Sequence, residues 1–184
     1  MPASFEPIGR CRRTAGFTLV ELVMTLIILG VLAAVAAPIL FGGFRVFSVS
    51  TADLHTLDKL RYATERMARE LREVQHTGVS YVLAMAGATT SSVTFTKNDG
   101  TVVTLNGSAP PALTLTYAGV GVATLTDQVA AGGALFTGYA IDGVTTTNDP
   151  AQIAFVEITL SLQRPPDNVT TFSQRTRVAL RNQP

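Results

Sequence analysis

Cysteine is almost absent from the chain: Cys11 is the only one in 184 residues, and it precedes the long apolar stretch. A lipidated cysteine follows a signal sequence, so Cys11 cannot be one. Removal of the first sixteen residues would leave no cysteine and exclude a disulfide, so the remainder must be stable through its core alone. Histidine is nearly as scarce. His55 and His76 lie 21 residues apart, with no cysteine or paired acids at metal-ligand spacing. That argues against a metal or acid–base centre and for solvated helix positions, and no cofactor is expected.

A basic excess is also missing. The formal charge is +1, and Arg10, Arg12 and Arg13 against Glu6 account for it. Without those four residues, 11 of the 14 basic and 12 of the 13 acidic side chains remain. A near-neutral remainder cannot release phosphate counterions on the scale a nucleic-acid binder needs, so no nucleic acid is expected as a partner.

What the chain does have is a concentrated apolar run. Between Phe17 and Phe44 Glu21 is the only charged residue, although 47% of the whole chain is hydrophobic. As a helix, the 21 residues from Phe17 to Ala37 span roughly 32 Å, close to the hydrocarbon thickness of a bilayer. The arginines just before this run place the N-terminus in the cytoplasm and the rest of the chain outside. Two ordinary readings compete, a secretory signal peptide cut after Ala34-Val35-Ala36 and an uncleaved signal anchor. Neither explains Glu21, since a carboxylate costs about 2.5 to 3.5 kcal/mol near the centre of a membrane helix and somewhat less near its start.

The residues Gly16-Phe17-Thr18-Leu19-Val20-Glu21 resemble the processing site of type IV prepilins and type II secretion pseudopilins. The resemblance implies that a prepilin peptidase cuts after Gly16 and that the new terminal Phe17 is methylated. It makes Glu21 the fifth mature residue, which in that family pairs with the terminal amine of a neighbouring subunit during assembly. A first-turn carboxylate is favoured by the helix dipole, and a nearby amine offsets its desolvation. Pro38 fits the same pattern as a kink or melted point in the stem, because proline removes one backbone donor and clashes with the preceding turn.

After Gly43 the pattern becomes amphipathic. Val46, Val49, Leu54, Leu57, Leu60, Ala63, Met67, Leu71 and Val74 recur at mostly three- and four-residue steps and predict one helical stripe. Arg61, Glu65, Arg69 and Glu73, with Arg66 and Glu70, predict a charged solvated face. The resemblance implies one long helix from Phe17 to about Gln75, and Glu65 to Arg72 is similar to the corresponding stretch of the minor pseudopilin J and related minor pilins. Beyond residue 77, Thr-, Val- and Gly-rich sequence predicts strands. Val93–Thr96 and Val102–Leu105 flank a turn at Asn98-Asp99-Gly100, and Leu113, Leu115 and Tyr117 alternate. Val156, Ile158, Leu160 and Leu162 alternate with a wet face of Glu157, Thr159, Ser161 and Gln163. A turn at 164–168 follows, then inward Phe172, Thr176, Val178 and Leu180 against outward Arg175, Arg177 and Arg181. The ending from Arg177 to Asn182 also resembles the J-type and related minor pilins.

Four segments result: a cleaved basic leader over 1–16, a membrane and assembly stem over 17–44, the second half of the long helix over 45–76, and a β-rich external domain over 77–184. The fold expected from the resemblance is α+β and pilin-like, a long N-terminal stem helix packed on an antiparallel sheet domain. Other candidate sites have bland readings. Gly119-Val120-Gly121 and Gly132-Gly133 lack the remainder of a phosphate loop and read as turns. Asp142-Gly143 with Asn148-Asp149 matches no calcium loop and also reads as a turn. Arg164, Arg175, Arg177 and Arg181 read as a solvated strand face that discourages edge pairing, not as an anion site. The sequons at Asn106 and Asn168 carry no weight without a glycosylation system.

The leading expectation is a structural, non-enzymatic minor subunit of a type IV pilus or pilus-like filament. It would be held in the inner membrane by a single pass, with its C-terminal domain periplasmic before it joins the fibre. Its partners would be a prepilin peptidase, other pilins or pseudopilins and the filament assembly platform. The alternatives are the minor pseudopilin J of a type II secretion system and, from another class, a signal-anchored periplasmic binding domain or hydrolase.

Overall fold

The computed structural model describes residues 16–180. Cys11, the arginines at 10, 12 and 13, the rest of the leader before Gly16, and Arg181 and Asn182 lie outside the described residues. The expected α+β architecture forms: one helix, α1 (Leu19–Arg72), precedes nine strands, all antiparallel to their neighbours. The chain divides into two compact units, Met1–Phe47 and Ser48–Pro184.

In the first unit every residue from Gly16 to Ala36 is exposed. The helix is unbroken through Pro38, with no melted turn at that point. Fully burying one Leu, Ile or Val side chain is worth about 1.5 to 3 kcal/mol. Such a surface cannot stay in water, and the segment is long and apolar enough to cross a bilayer.

In the second unit the C-terminal part of α1 buries Leu60, Ala63, Met67, Ala68 and Leu71 in the core. The predicted stripe is only partly covered, since Leu54 is 62% and Leu57 42% exposed. The core therefore begins at Leu60, nearly four turns after Val46, where the periodic stripe starts. The helix stops at Arg72, short of Gln75, where Glu73 and Val74 donate to carbonyls only three residues back. That tightening ends the α-ladder, and Gln75 N–H turns instead to the carbonyl of Thr96.

The β part is two sheets, not one. The first contains β1 (Leu83–Met85), β3 (Ser92–Thr96), β4 (Val102–Asn106), β5 (Leu113–Tyr117) and β6 (Gly121–Thr126), in the order 1-3-4-5-6. The second contains β2 (Thr89–Thr90), β7 (Val129–Tyr139), β8 (Phe155–Gln163) and β9 (Thr171–Ala179), in the order 2-7-8-9. The two predicted hairpins form, with Thr96 opposite Val102 and Gln163 opposite Thr171. Gly100 takes φ 85° in the first turn, and Asp99 Oδ1 accepts the Thr101 N–H at 2.9 Å.

Gly132-Gly133 is a bulge inside β7, not a turn. The pairing with β8 shifts between Val129 and Ala134, and Gly132 sits at φ 66°. A Cβ on Gly133 would lie 2.6 Å from the Ser161 carbonyl oxygen. Only glycine meets both the positive φ and the close approach.

Candidate assembly segment

The start of α1 is built by its own sequence. Thr18 is the N-cap: its Oγ1 accepts the Glu21 N–H at 3.3 Å and its carbonyl accepts the Leu22 N–H at 3.2 Å. Thr18-Leu19-Val20-Glu21 thus has the T-x-x-E spacing of a capping box, with Glu21 at N3. Sequence reading missed this local role, although the spacing carries the signal. Glu21 is exposed, as are its apolar neighbours. The one other hydroxyl of the first turns is satisfied, since Thr25 Oγ1 donates to the Leu22 carbonyl at 2.8 Å.

Gly16 and Phe17 precede the cap in irregular backbone, with Phe17 76% exposed. The peptide bond between them is therefore not locked in helical hydrogen bonding. Pro38, Gly42 and Gly43 lie further along the same helix. Gly43 leaves a shallow notch edged by Ile39, Leu40, Phe44 and Phe47.

In the second unit a buried charge network replaces part of the expected solvated face. Glu70 is only 3% exposed. Its Oε1 accepts from Tyr117 Oη at 2.7 Å and pairs with Arg66 at 2.9 Å, while Lys97 Nζ lies 3.3 Å from Oε2. Lys97 also pairs with Glu73 at 2.7 Å. The Glu73 hydrogen bond holds the Lys97 ammonium above its ordinary value, outweighing burial. Burial, then the Glu70 hydrogen bond, pushes the Tyr117 phenol up. The network ties α1 to β5 and to the turn after β3.

The remaining candidates are mostly absorbed by the fold. Glu157 is buried, contrary to the wet face expected of it, because Arg175 and Arg177 on the adjacent β9 cover it at 3.4 and 3.1 Å. Arg177 also lies 4.0 Å over the Tyr139 ring. Arg164 pairs with Asp53 at 2.9 Å and with Asp167. The predicted basic patch is therefore largely neutralised by acids that the hairpin pattern alone does not reveal.

His55 is an exposed helix residue, whereas His76 is half-buried in the turn after the helix. Its Nδ1 accepts the Gly78 N–H, and its ring meets the edge of Tyr81. Asp142 closes its own turn, accepting from Val144 and Thr145, and the Thr145 hydroxyl above all holds its carboxyl below the usual range. No group of three potential metal-ligating side chains occurs among the described residues.

An exposed apolar helix thus begins at a capped Thr-x-x-Glu, with Gly16 and Phe17 in irregular backbone just before it. Residues 11–37 match the family described as the prokaryotic N-terminal methylation motif. The chain carries the prepilin signature of type IV pilins and pseudopilins. No curated protein and no solved structure matches the chain. The prepilin motif implies processing by a prepilin peptidase and assembly with other pilins. The helix and antiparallel sheets give the chain a pilin-like α+β fold, and its apolar N-terminal helix suits membrane anchoring.

Proposed function

We propose that the chain is a structural minor subunit of a type IV pilus or pilus-like filament, with no enzymatic role. The observation that carries this reading is the methylation motif over residues 11–37, whose part from Leu19 onward lies on a helix with its apolar surface uncovered. In this account the peptidase cuts between Gly16 and Phe17, and Phe17 is then N-methylated. The stem over 17–44 holds the chain in the inner membrane by a single pass, with the leader cytoplasmic and the domain from residue 77 onward periplasmic. The assembly platform then draws it into the filament.

Glu21 carries the assembly step. Its carboxylate stands in the first turn, where the positive helix end favours it, and cleavage creates an amine at Phe17. A neighbour's amine neutralises the carboxylate among packed stems, and a subunit out of register would leave an unpaired buried charge. Pro38 gives the stem a point of bending, since the carbonyl one turn before it has no proline N–H to accept. The minor pseudopilin J reading stays second, favoured by the likeness of Glu65 to Arg72.

Replacing Glu21 with Ala tests the assembly role. The expected protein is correctly processed and membrane-retained but missing from sheared fibres. Recovery of Glu21→Ala in filaments at the wild-type level would remove the pairing role.

A further inference from the structure

β9 is an outer strand, and its 9 residues pair with β8 in unbroken register, the longest such edge among the described residues. The ends of that ladder fix which backbone groups are left over. Arg164 N–H donates to the Thr170 carbonyl and Leu180 N–H to the Ala154 carbonyl. By alternation Phe172, Gln174, Thr176 and Val178 bond to β8, and Thr171, Ser173, Arg175, Arg177 and Ala179 turn their N–H and C=O groups outward. Such a row accepts a further strand if the side chains beside it suit. On the helix side of β9 lies a groove of about 250 Å³, edged by Arg69 and Arg72 on α1 and by Gln174 and Thr176 on the strand. Among the described residues these four side chains have no hydrogen-bond or ion-pair partner. Glu65 also lines the groove but is held by Arg61 at 2.8 Å. On the other face Arg175 and Arg177 share the single carboxylate of Glu157. Cations therefore outnumber acids on both sides of the edge.

We propose that β9 and this groove receive an extended, acidic segment of another protein, which adds a strand to the β9 edge and sets alternate carboxylates against Arg69 and Arg72. Charge selects this occupant. Two β9 edges would set arginine against arginine, which is unfavourable. A second copy offers no acidic strand, since the one acid in its strands is Glu157 on β8, buried and paired inside its own sheet. The segment before Gly16 carries Arg10, Arg12 and Arg13 against Glu6 and is equally unsuited. Cations in the last turn of α1 also complement its dipole, but that role leaves the open groups of Gln174, Thr176 and the β9 edge without a use. The site lies wholly in the second unit and does not rest on leader cleavage or on the proposed function.

The test uses the full-length protein in detergent micelles at physiological ionic strength. The probe is a fluorescently labelled, end-blocked peptide of alternating glutamate and threonine, as long as β9. Fluorescence anisotropy should show saturable binding, and the same peptide with glutamine or lysine in place of glutamate should bind more weakly by about tenfold or more. Arg69→Gln combined with Arg72→Gln should weaken the glutamate peptide by about tenfold, whereas Lys59→Gln, which removes a cation elsewhere on α1, should change it by less than about twofold. Ser173→Pro removes an outward N–H, leaves the β8 ladder intact and should abolish binding with unchanged circular dichroism. No binding, equal affinity for the glutamate and glutamine peptides, or affinity unchanged by the paired arginine substitutions would each overturn the proposal. Binding that survives Ser173→Pro would show attraction to an anion without strand pairing and would overturn it as well.

Discussion

Replacing Lys97 with Met removes the cation 3.3 Å from Glu70 Oε2, an atom with no hydrogen-bond partner among the described residues. The carboxylate cannot move to water, since Glu70 is 3% exposed. Breaking a buried pair from one side typically costs about 3 to 5 kcal/mol. Here Arg66 and Tyr117 still hold Oε1, which puts the cost at the low end, about 3 kcal/mol. Glu73→Gln removes a pair whose acid is 49% exposed, and its cost is at most about 1 kcal/mol. Adding Glu70→Gln to Lys97→Met removes the stranded charge, so the double variant should be more stable than Lys97→Met alone. The chain has no tryptophan, so urea unfolding in micelles is followed by the near-ultraviolet dichroism of its tyrosines. With a slope of about 2 kcal/mol per M, Lys97→Met lowers the midpoint by about 1.5 M. A shift no larger than that of Glu73→Gln, or no recovery in the double variant, would refute the reasoning.

The same network gives a pH dependence. Lys97 and Tyr117 both have native values raised above their ordinary 10.5 and 10.0. Their contributions are present in full below those values and are lost as the pH rises through the higher native ones, so alkaline titration should show stability falling above about pH 10. Asp127 is lowered from 3.8, chiefly by the Lys59 hydrogen bond, and its contribution should fade as the pH drops below 3.8 towards the native value. Thr18→Ala removes the cap on Glu21 N–H and should fray the first turn of the stem at a cost of about 1 kcal/mol, seen as faster amide exchange at residues 19–21. Gly132→Ala places a side chain at φ 66° and should lower domain stability by about 1 to 2 kcal/mol, measured by urea unfolding.

Much of this architecture is written in local pattern. The apolar run from Phe17, the stripe from Leu60 to Leu71, and the alternations of Val93–Thr96 and Val156–Leu162 follow single periods, and each became the element its period predicts. What escaped the pattern depends on partners distant in sequence. Glu70 has the i,i+4 spacing of a surface pair with Arg66, but Lys97 and Tyr117 arrive from the sheet and enclose it. Glu157 alternates as an outward residue, yet arginines on the neighbouring strand roof it. Gly132-Gly133 reads as a turn because a bulge and a turn both demand positive φ, and only the register with β8 separates them. At the candidate site, Gly16, Phe17 and Glu21 are legible as a motif, and the Thr18 cap was there in the same four residues.

The most direct test of the whole account is the mass of the N-terminal peptide of the protein purified from its native host. The account predicts a chain that begins at Phe17, with a single methyl group on the terminal nitrogen. A chain beginning at Ala37 would identify an ordinary signal peptide, and an intact Met1 would identify an uncleaved anchor. Either result would contradict prepilin processing and everything built on it.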